Sequence, residues 1–158
     1  MIGKNIINLN GIIPMIYCFF NKNGSIDKTL MKEQIKTISK MKVNGIAALG
    51  LGTEVNKLSF IEKKLIIEII LKEKIKLPFA LTIQGKSELE YLKLIDIAKN
   101  NKVDWIILQP LITKKSTNIG CFNFFKKIIP FCDDKLVGIQ NAKEYLGIGL
   151  NYNQIINL

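Results

Sequence analysis

Short apolar runs begin near residues 11, 45, 78, 104 and 136, and amphipathic, lysine-studded stretches fill the intervals between them. A recurrence of roughly thirty residues is the size of one strand-plus-helix unit. The runs at 11–19, 45–49, 78–83, 104–108 and 136–139 read as strands. They are continuously apolar rather than alternating, as parallel strands covered on both faces are. Asn23-Gly24 marks a turn, and Asp27 then caps a helix carrying Leu30, Met31, Ile35, Ile38 and Met41 at helical spacing. Ser59 with Glu62, and Ser87 with Glu90, read as capping boxes. They open helices bearing Leu65, Ile66, Ile69 and Ile70, and Tyr91, Leu94, Ile95 and Ala98. A short helix at 122–129 stops at Pro130, and a further helical pattern begins at Asn151. Strict alternation of this kind gives an α/β fold with a parallel sheet. Periodicity alone does not separate a (βα)8 barrel from an open doubly wound sheet. No GxGxxG or GxxxxGK[ST] follows any strand, which counts against a nucleotide-binding open sheet.

Composition narrows the chemistry. At 158 residues and 48% hydrophobic, the chain has the size and apolar content of one domain with a buried core. All 23 Lys+Arg positions are lysine, and histidine is absent. Without histidine there is no Ser-His-Asp or Cys-His nucleophile system and no imidazole switch. Without arginine there is no bidentate clamp on a carboxylate or phosphate. With 13 acidic residues the formal net charge is +10. An AT-rich coding sequence explains that excess, the lysines lie on helix faces with glutamates, and no aromatic-basic motif interleaves them. A nucleic-acid partner is therefore not expected. Cys18, Cys121 and Cys132 form an odd, unclustered set without CxxC, so no metal site is indicated and reduced thiols in a cytoplasmic protein are expected. The apolar run at 12–20 behind Lys4 is interrupted by Pro14, lacks a small-residue cleavage site and is too short to span a bilayer. It reads as a buried first strand, and no membrane partner is expected.

In either α/β architecture, function sits on the loops after the C-terminal ends of the strands. The loop Gly50-Leu51-Gly52-Thr53-Glu54 carries glycines that permit close approach and unusual φ. It reads equally as a set of amides for an anionic group and as a tight connection. Gln84-Gly85-Lys86 reads as a solvated cap region. Gln109-Pro110-Leu111-Ile112-Thr113 is apolar and uninformative by itself. Gln140-Asn141 places two amides at a strand end, where they hydrogen-bond either a ligand or the loop backbone.

The segment from Gly45 through Gly50-Leu51-Gly52-Thr53-Glu54 to Leu58-Ser59 and Glu62 resembles the Gly-x-x-Gly-Glu…Leu-Ser-x-x-Glu signature of the dihydrodipicolinate synthase / N-acetylneuraminate lyase family. Gly11-Ile12-Ile13-Pro14 followed by Asn23-Gly24-Ser25-Ile26-Asp27 resembles that family's opening. Gly120 with Phe124-Phe125 is similar to the stretch before its fifth strand. Gln140-Asn141-Ala142 with Glu144-Tyr145-Leu146-Gly147 resembles a subgroup whose fifth strand ends in Gln-Asn-Ala. These matches run in order along essentially the whole chain.

The resemblance implies a (βα)8 barrel, normally a homo-oligomer, that needs no metal or other cofactor. Its implied chemistry is class I aldolase-type, making or breaking a carbon-carbon bond beside a 2-oxo acid such as pyruvate. A lysine Schiff base is the electron sink in that chemistry. Carried over residue by residue, Gly50, Leu51, Gly52 and Thr53 form the loop that holds the keto-acid carboxylate, with Asn141 as a further substrate-binding residue. Leu51 and Gly52 stand where two hydroxyl residues are usual, and the Thr53 hydroxyl partly substitutes for them. Gln140 occupies the place of the catalytic tyrosine. An amide hydrogen-bonds but has no useful pKa, so it cannot shuttle a proton. Leu111 and Ile112 replace tyrosines, and Lys42 replaces a helix-ending glycine. The Schiff-base lysine belongs at the end of strand six. Residues 1–158 are therefore expected to be a single incomplete barrel of about five strands, with strands six to eight missing. Lys143 and Lys86 read as solvated loop lysines rather than substitutes for the nucleophile. The expected chain is the N-terminal portion of a 2-oxo-acid lyase or synthase, inactive alone. The alternative is a non-catalytic barrel fragment that self-associates or assembles with a partner, since an open parallel sheet leaves bare edges.

Overall fold

The structure is a computed structural model that describes residues 10–113 and 116–158. Its centre is a four-stranded parallel sheet in sequential order: β1 (Ile46–Ala48), β2 (Phe79–Ile83), β3 (Trp105–Leu108) and β4 (Leu136–Ile139). The register runs Ala47 beside Ala80, Ala80 beside Trp105 and Trp105 beside Leu136. Helices α1 (Lys28–Ser39), α2 (Phe60–Lys72), α3 (Glu88–Lys99) and α4 (Asn118–Ile128) alternate with the strands. Two short helices follow β4, α5 (Lys143–Leu146) and α6 (Tyr152–Ile156).

Local chemistry sets the helix starts. Asp27 accepts from the amides of Thr29 and Leu30 at 3.0 Å, and Ser59 with Glu62 forms the full reciprocal box. The box expected at Ser87 forms only half. Ser87 accepts from the Glu90 amide, but the Glu90 carboxylate turns to the Lys86 amide and to Lys63. The complete second box is instead at Asn151 with Gln154, opening α6. Helix α4 begins four residues before the expected 122, because the Thr117 hydroxyl accepts from the Gly120 amide.

Burial falls off across the sheet. Every residue of β1 and β2 is buried, whereas β3 alternates, with Ile106 and Leu108 buried and Trp105 and Ile107 partly exposed. In β4 Leu136 is 44% exposed. Side chains alternate faces along a strand, so β3 is covered on one face and partly open on the other. Met31 and Ile35 of α1, Ile66, Ile67 and Ile70 of α2, and Tyr91, Leu94 and Ile95 of α3 are buried in one apolar cluster with the strands. Each contributes about 1.5–3 kcal/mol relative to exposure. Leu30 and Met41, expected on the buried stripe of α1, are about half exposed instead.

The segment 11–19 does not form the strand expected there. Met15 bridges Ala47 in parallel, through Ile16 N to Ala47 O (2.7 Å) and Ala47 N to Pro14 O (2.9 Å); Asn44 N also donates to Ile12 O (2.7 Å), but no second bridge forms. Pro14 has no N–H to donate. On one side the Asn44 side chain takes the Ile12 amide at 2.8 Å, and on the other Gln34 clamps both backbone groups of Tyr17 at 2.9 Å. Side-chain hydrogen bonds thus flank a single bridge on both sides, with one backbone bond from Asn44 N to Ile12 O beside them. The segment still lies alongside β1 in the place of a barrel's first strand.

Candidate functional site at the carboxyl ends of the strands

The loop Gly50–Glu54 leaves the carboxyl end of β1 as a single 3-10 turn, Leu51–Thr53. Thr53 N donates to Gly50 O at 3.1 Å and Glu54 N to Leu51 O at 2.9 Å. The amides of Leu51 and Gly52 stand ahead of these bonds, as the first donors of any helical turn do. Positive φ falls on the residues flanking the turn, Leu49 (60°) and Glu54 (54°), whereas Gly50 has φ −86°. Such values in non-glycine residues cost roughly 1–3 kcal/mol each and persist where surrounding packing enforces them. Leu49 is fully buried and supplies that packing.

Neither glycine of this loop has a positive φ; Gly50 packs closely against the flexible end of Met15, and Gly52 lies at ordinary contact distance. A β-carbon on Gly50 would lie 2.3 Å from Cε and 3.0 Å from Sδ of Met15, and 3.5 Å from the Thr82 hydroxyl. One on Gly52 would lie 3.4 Å from Met15 Cγ and 3.5 Å from a ring carbon of Tyr17. The Thr53 side chain is buried and its hydroxyl donates to Ile16 O at 2.7 Å. It ties the loop to the bridging segment. Leu51 is 37% exposed.

At the carboxyl end of β4, Gln140 N donates to Leu108 O at 2.9 Å, extending the β3–β4 pairing by one residue. The Gln140 Oε1 accepts from Nε2 of Gln109 at 2.9 Å, and Gln109 is buried at the end of β3. Below it, the fully buried Tyr91 hydroxyl donates to Gln109 O at 3.0 Å. Burial, reinforced by the nearby Glu90 and Cys121 and opposed only by a backbone hydrogen bond at Gly85, pushes the Tyr91 phenol well above its ordinary range, so it stays protonated. Asn141 spends both ends of its amide on Leu150, accepting from its N–H at 2.8 Å and donating to its carbonyl at 3.0 Å. Of the residues read from the sequence, Gly50 and Gly52 pack against Met15, Thr53 bonds Ile16, the neighbour of Met15, and Gln140 lies three strands away at the same end of the sheet. Next to the end of β3, a cleft of ≈ 330 Å³ is bounded by Leu111, Thr117, Cys121 and Phe124.

Sequence reasoning missed one polar residue of this end, Lys63. It is completely buried and donates to Gln84 O (2.8 Å), Gln84 Oε1 (3.1 Å) and Glu90 Oε1 (2.9 Å). Burial alone would raise the Glu90 carboxyl, but the Lys86 amide and the Lys63 ammonium together hold it below its ordinary value. The signal was present in the spacing: 63, 66, 67 and 70 lie on one helical stripe. The cluster fastens α2 and α3 to the loop after β2. Among the described residues, no group of three or more Cys, Asp or Glu could hold a metal ion, and no helix is long and apolar enough to cross a membrane.

Parallel strands in sequential order, alternating helices and loops gathered at the carboxyl ends define part of a (βα)8 barrel. Residues 8–158 match the Dihydrodipicolinate synthetase family, and the chain belongs to it. A 4-hydroxy-tetrahydrodipicolinate synthase of Methanothrix thermoacetophila is 23% identical over 148 residues, 94% of this chain and 50% of that protein. The sialic acid aldolase of Ruminococcus gnavus, solved as a catalytic lysine mutant, superposes with TM-score 0.87 at 21% identity, over 98% of this chain and 51% of its own. YagE of E. coli K12, a prophage protein of the dihydrodipicolinic acid synthase family solved with pyruvate, gives TM-score 0.81 at 22% identity, over 90% and 48%. The chain spans about half the length of each of these relatives.

Proposed function

We propose that this chain forms the part of a 2-oxo-acid lyase or synthase that seats the substrate carboxylate and binds beside the reacting carbonyl, in chemistry completed by a Schiff-base lysine outside residues 1–158. The observation that carries this reading is the loop at 50–54. It leaves the carboxyl end of a barrel strand, in a member of a family whose solved relatives include one with pyruvate bound. Amides of this loop receive the carboxylate, and Gln140 lies where a hydrogen bond to substrate is made. Gln140 binds and orients; it does not relay a proton, because a carboxamide neither gains nor loses one near neutral pH. The buried Gln109 fixes the Gln140 amide by occupying its oxygen, which leaves the Nε2 hydrogens as donors.

Among the described residues, Lys63, Lys86 and Lys143 are not suited to be the nucleophile. Lys63 is fully buried with all three donors engaged, while Lys86 and Lys143 are exposed. Borohydride reduction in the presence of pyruvate tests the reading. The 158-residue chain is expected to form no pyruvate adduct by mass spectrometry, and a pyruvate-dependent adduct on any of its lysines would contradict it.

The reading of a self-associating fragment also has an observation in its favour. Leu136 of the edge strand β4, Tyr145 of α5 and Tyr152, Ile155 and Ile156 of α6 are exposed. Exposed apolar side chains on an edge strand and on the helices after it favour association. Sedimentation of the chain at several concentrations tests this reading, and a monomer throughout argues against it.

A further inference from the structure

The glycines at 50 and 52 are matched by one side chain from elsewhere in the sequence. Met15 lies on the bridging segment, held opposite Ala47, and its thioether occupies the space a side chain at position 50 would need. The same side chain runs along Gly52 through its Cγ and Cβ. Met15 is only partly buried and is not a core residue. Its backbone is fixed on both sides, by the Ala47–Pro14 hydrogen bond before it and by the Ile16–Ala47 hydrogen bond and the Gln34 clamp on Tyr17 after it. Its side chain is not fixed in the same way. Methionine is unbranched, with three rotatable bonds and a soft, polarizable end that repacks at low cost.

We propose that Met15 is a steric gate on the 50–54 loop and a specificity-determining residue of the site. The proposal rests on the reading of that loop as the seat of a 2-oxo-acid carboxylate. With Met15 packed against Gly50, the room in front of the loop is filled. A small carboxylate reaches the loop amides only when the thioether swings away, so the chain binds such acids weakly and admits the slimmest head groups first. Truncation of Met15 opens the seat without touching the loop.

The experiment is a titration of the 158-residue chain followed through the amide resonances of residues 50–54. Its probes are pyruvate and propionate, acids of similar size that differ in the 2-oxo group. In Met15→Ala the pyruvate affinity is expected to rise about tenfold or more, the scale on which a small change of pocket volume discriminates ligands. Met15→Leu keeps the bulk and is expected to bind as the unsubstituted chain does. Met15→Val gives the same reading through a smaller truncation if Met15→Ala melts at the working temperature. A rise for pyruvate and not for propionate supports the gate and the 2-oxo-acid reading together. An equal rise for both acids supports the gate and removes the 2-oxo-acid reading. Pyruvate binding that is the same in all variants overturns the gate and leaves that reading in place. If no variant shows a loop shift with either acid, both fall.

Discussion

Lys63 and Glu90 permit a quantitative test of how the carboxyl end of the sheet is held. Glu90→Ala removes one of three hydrogen bonds to a lysine whose side chain is 0% exposed, while Glu90 itself is 14% exposed. Removing one partner of a fully buried pair costs about 3–5 kcal/mol. Here the two Gln84 oxygens remain and Glu90 borders water, so the cost falls to about 2–3 kcal/mol. For a domain of this size that lowers Tm by about 4–12 °C. Lys63→Met leaves the Gln84 carbonyl and the Glu90 carboxylate without their shared donor and costs a similar amount. The double variant costs less than the sum by about 1 kcal/mol or more, because neither group is left stranded. Glu90→Gln keeps the shape and a neutral acceptor and costs about 1 kcal/mol. The pH dependence has a definite sign. The Glu90 carboxyl is held below its ordinary value in the folded chain, so its contribution is complete above the ordinary carboxylate range. It is lost as pH falls through the lowered value, and the Glu90→Ala deficit is full at neutral pH and shrinks below about pH 4. Urea titrations of the four variants at two pH values measure all of this. Single variants within about 0.5 kcal/mol of the unsubstituted chain, or strict additivity in the double variant, would refute the cluster as a structural fastening.

Two further outcomes follow from buried groups. Tyr91→Phe strands the carbonyl of the buried Gln109, and a loss of about 1–2 kcal/mol in urea unfolding is expected. No loss would mean that the carbonyl finds another donor. Burial, with a smaller push from Glu62, raises the Cys18 thiol to about 11, and burial likewise raises Cys132 to about 11 against the opposing Lys99. The thiolate is the reactive form, so both react slowly with a disulfide reagent at pH 8 and accelerate as pH rises toward 11. Rapid labelling of folded chain at pH 8 would contradict these environments.

The architecture was legible in the sequence because strand-plus-helix recurrence and N-terminal caps are local signals. Asp27 and Ser59 do in the structure what their spacing implies. Two of the misreadings share a cause, namely competition from residues distant in sequence. Glu90 leaves its capping box for a lysine 27 positions away. The run at 11–19 keeps a single bridge to β1 and gives the Ile12 amide and both backbone groups of Tyr17 to the side chains of Asn44 and Gln34. The loop at 50–54 leaves the carboxyl end of β1 as its place in the sequence implies, but its packing against Met15 was not legible, because the two meet only once the chain is folded. Lys63 was missed although its helical spacing placed it on the buried stripe, since a lysine there is improbable without a partner and Glu90 is not visible as one from sequence.

The most direct measurement supplies what the proposed function says lies outside residues 1–158. The chain is joined after Leu158 to the half of the Ruminococcus gnavus sialic acid aldolase that it does not match, with that enzyme's catalytic lysine intact. The folded hybrid is then reduced with borohydride in the presence of pyruvate. A pyruvate adduct on the lysine of the added half, weakened by Gln140→Ala and absent from the 158-residue chain alone, is the predicted result. A folded hybrid that forms no adduct, or an adduct on the 158-residue chain by itself, would contradict the account.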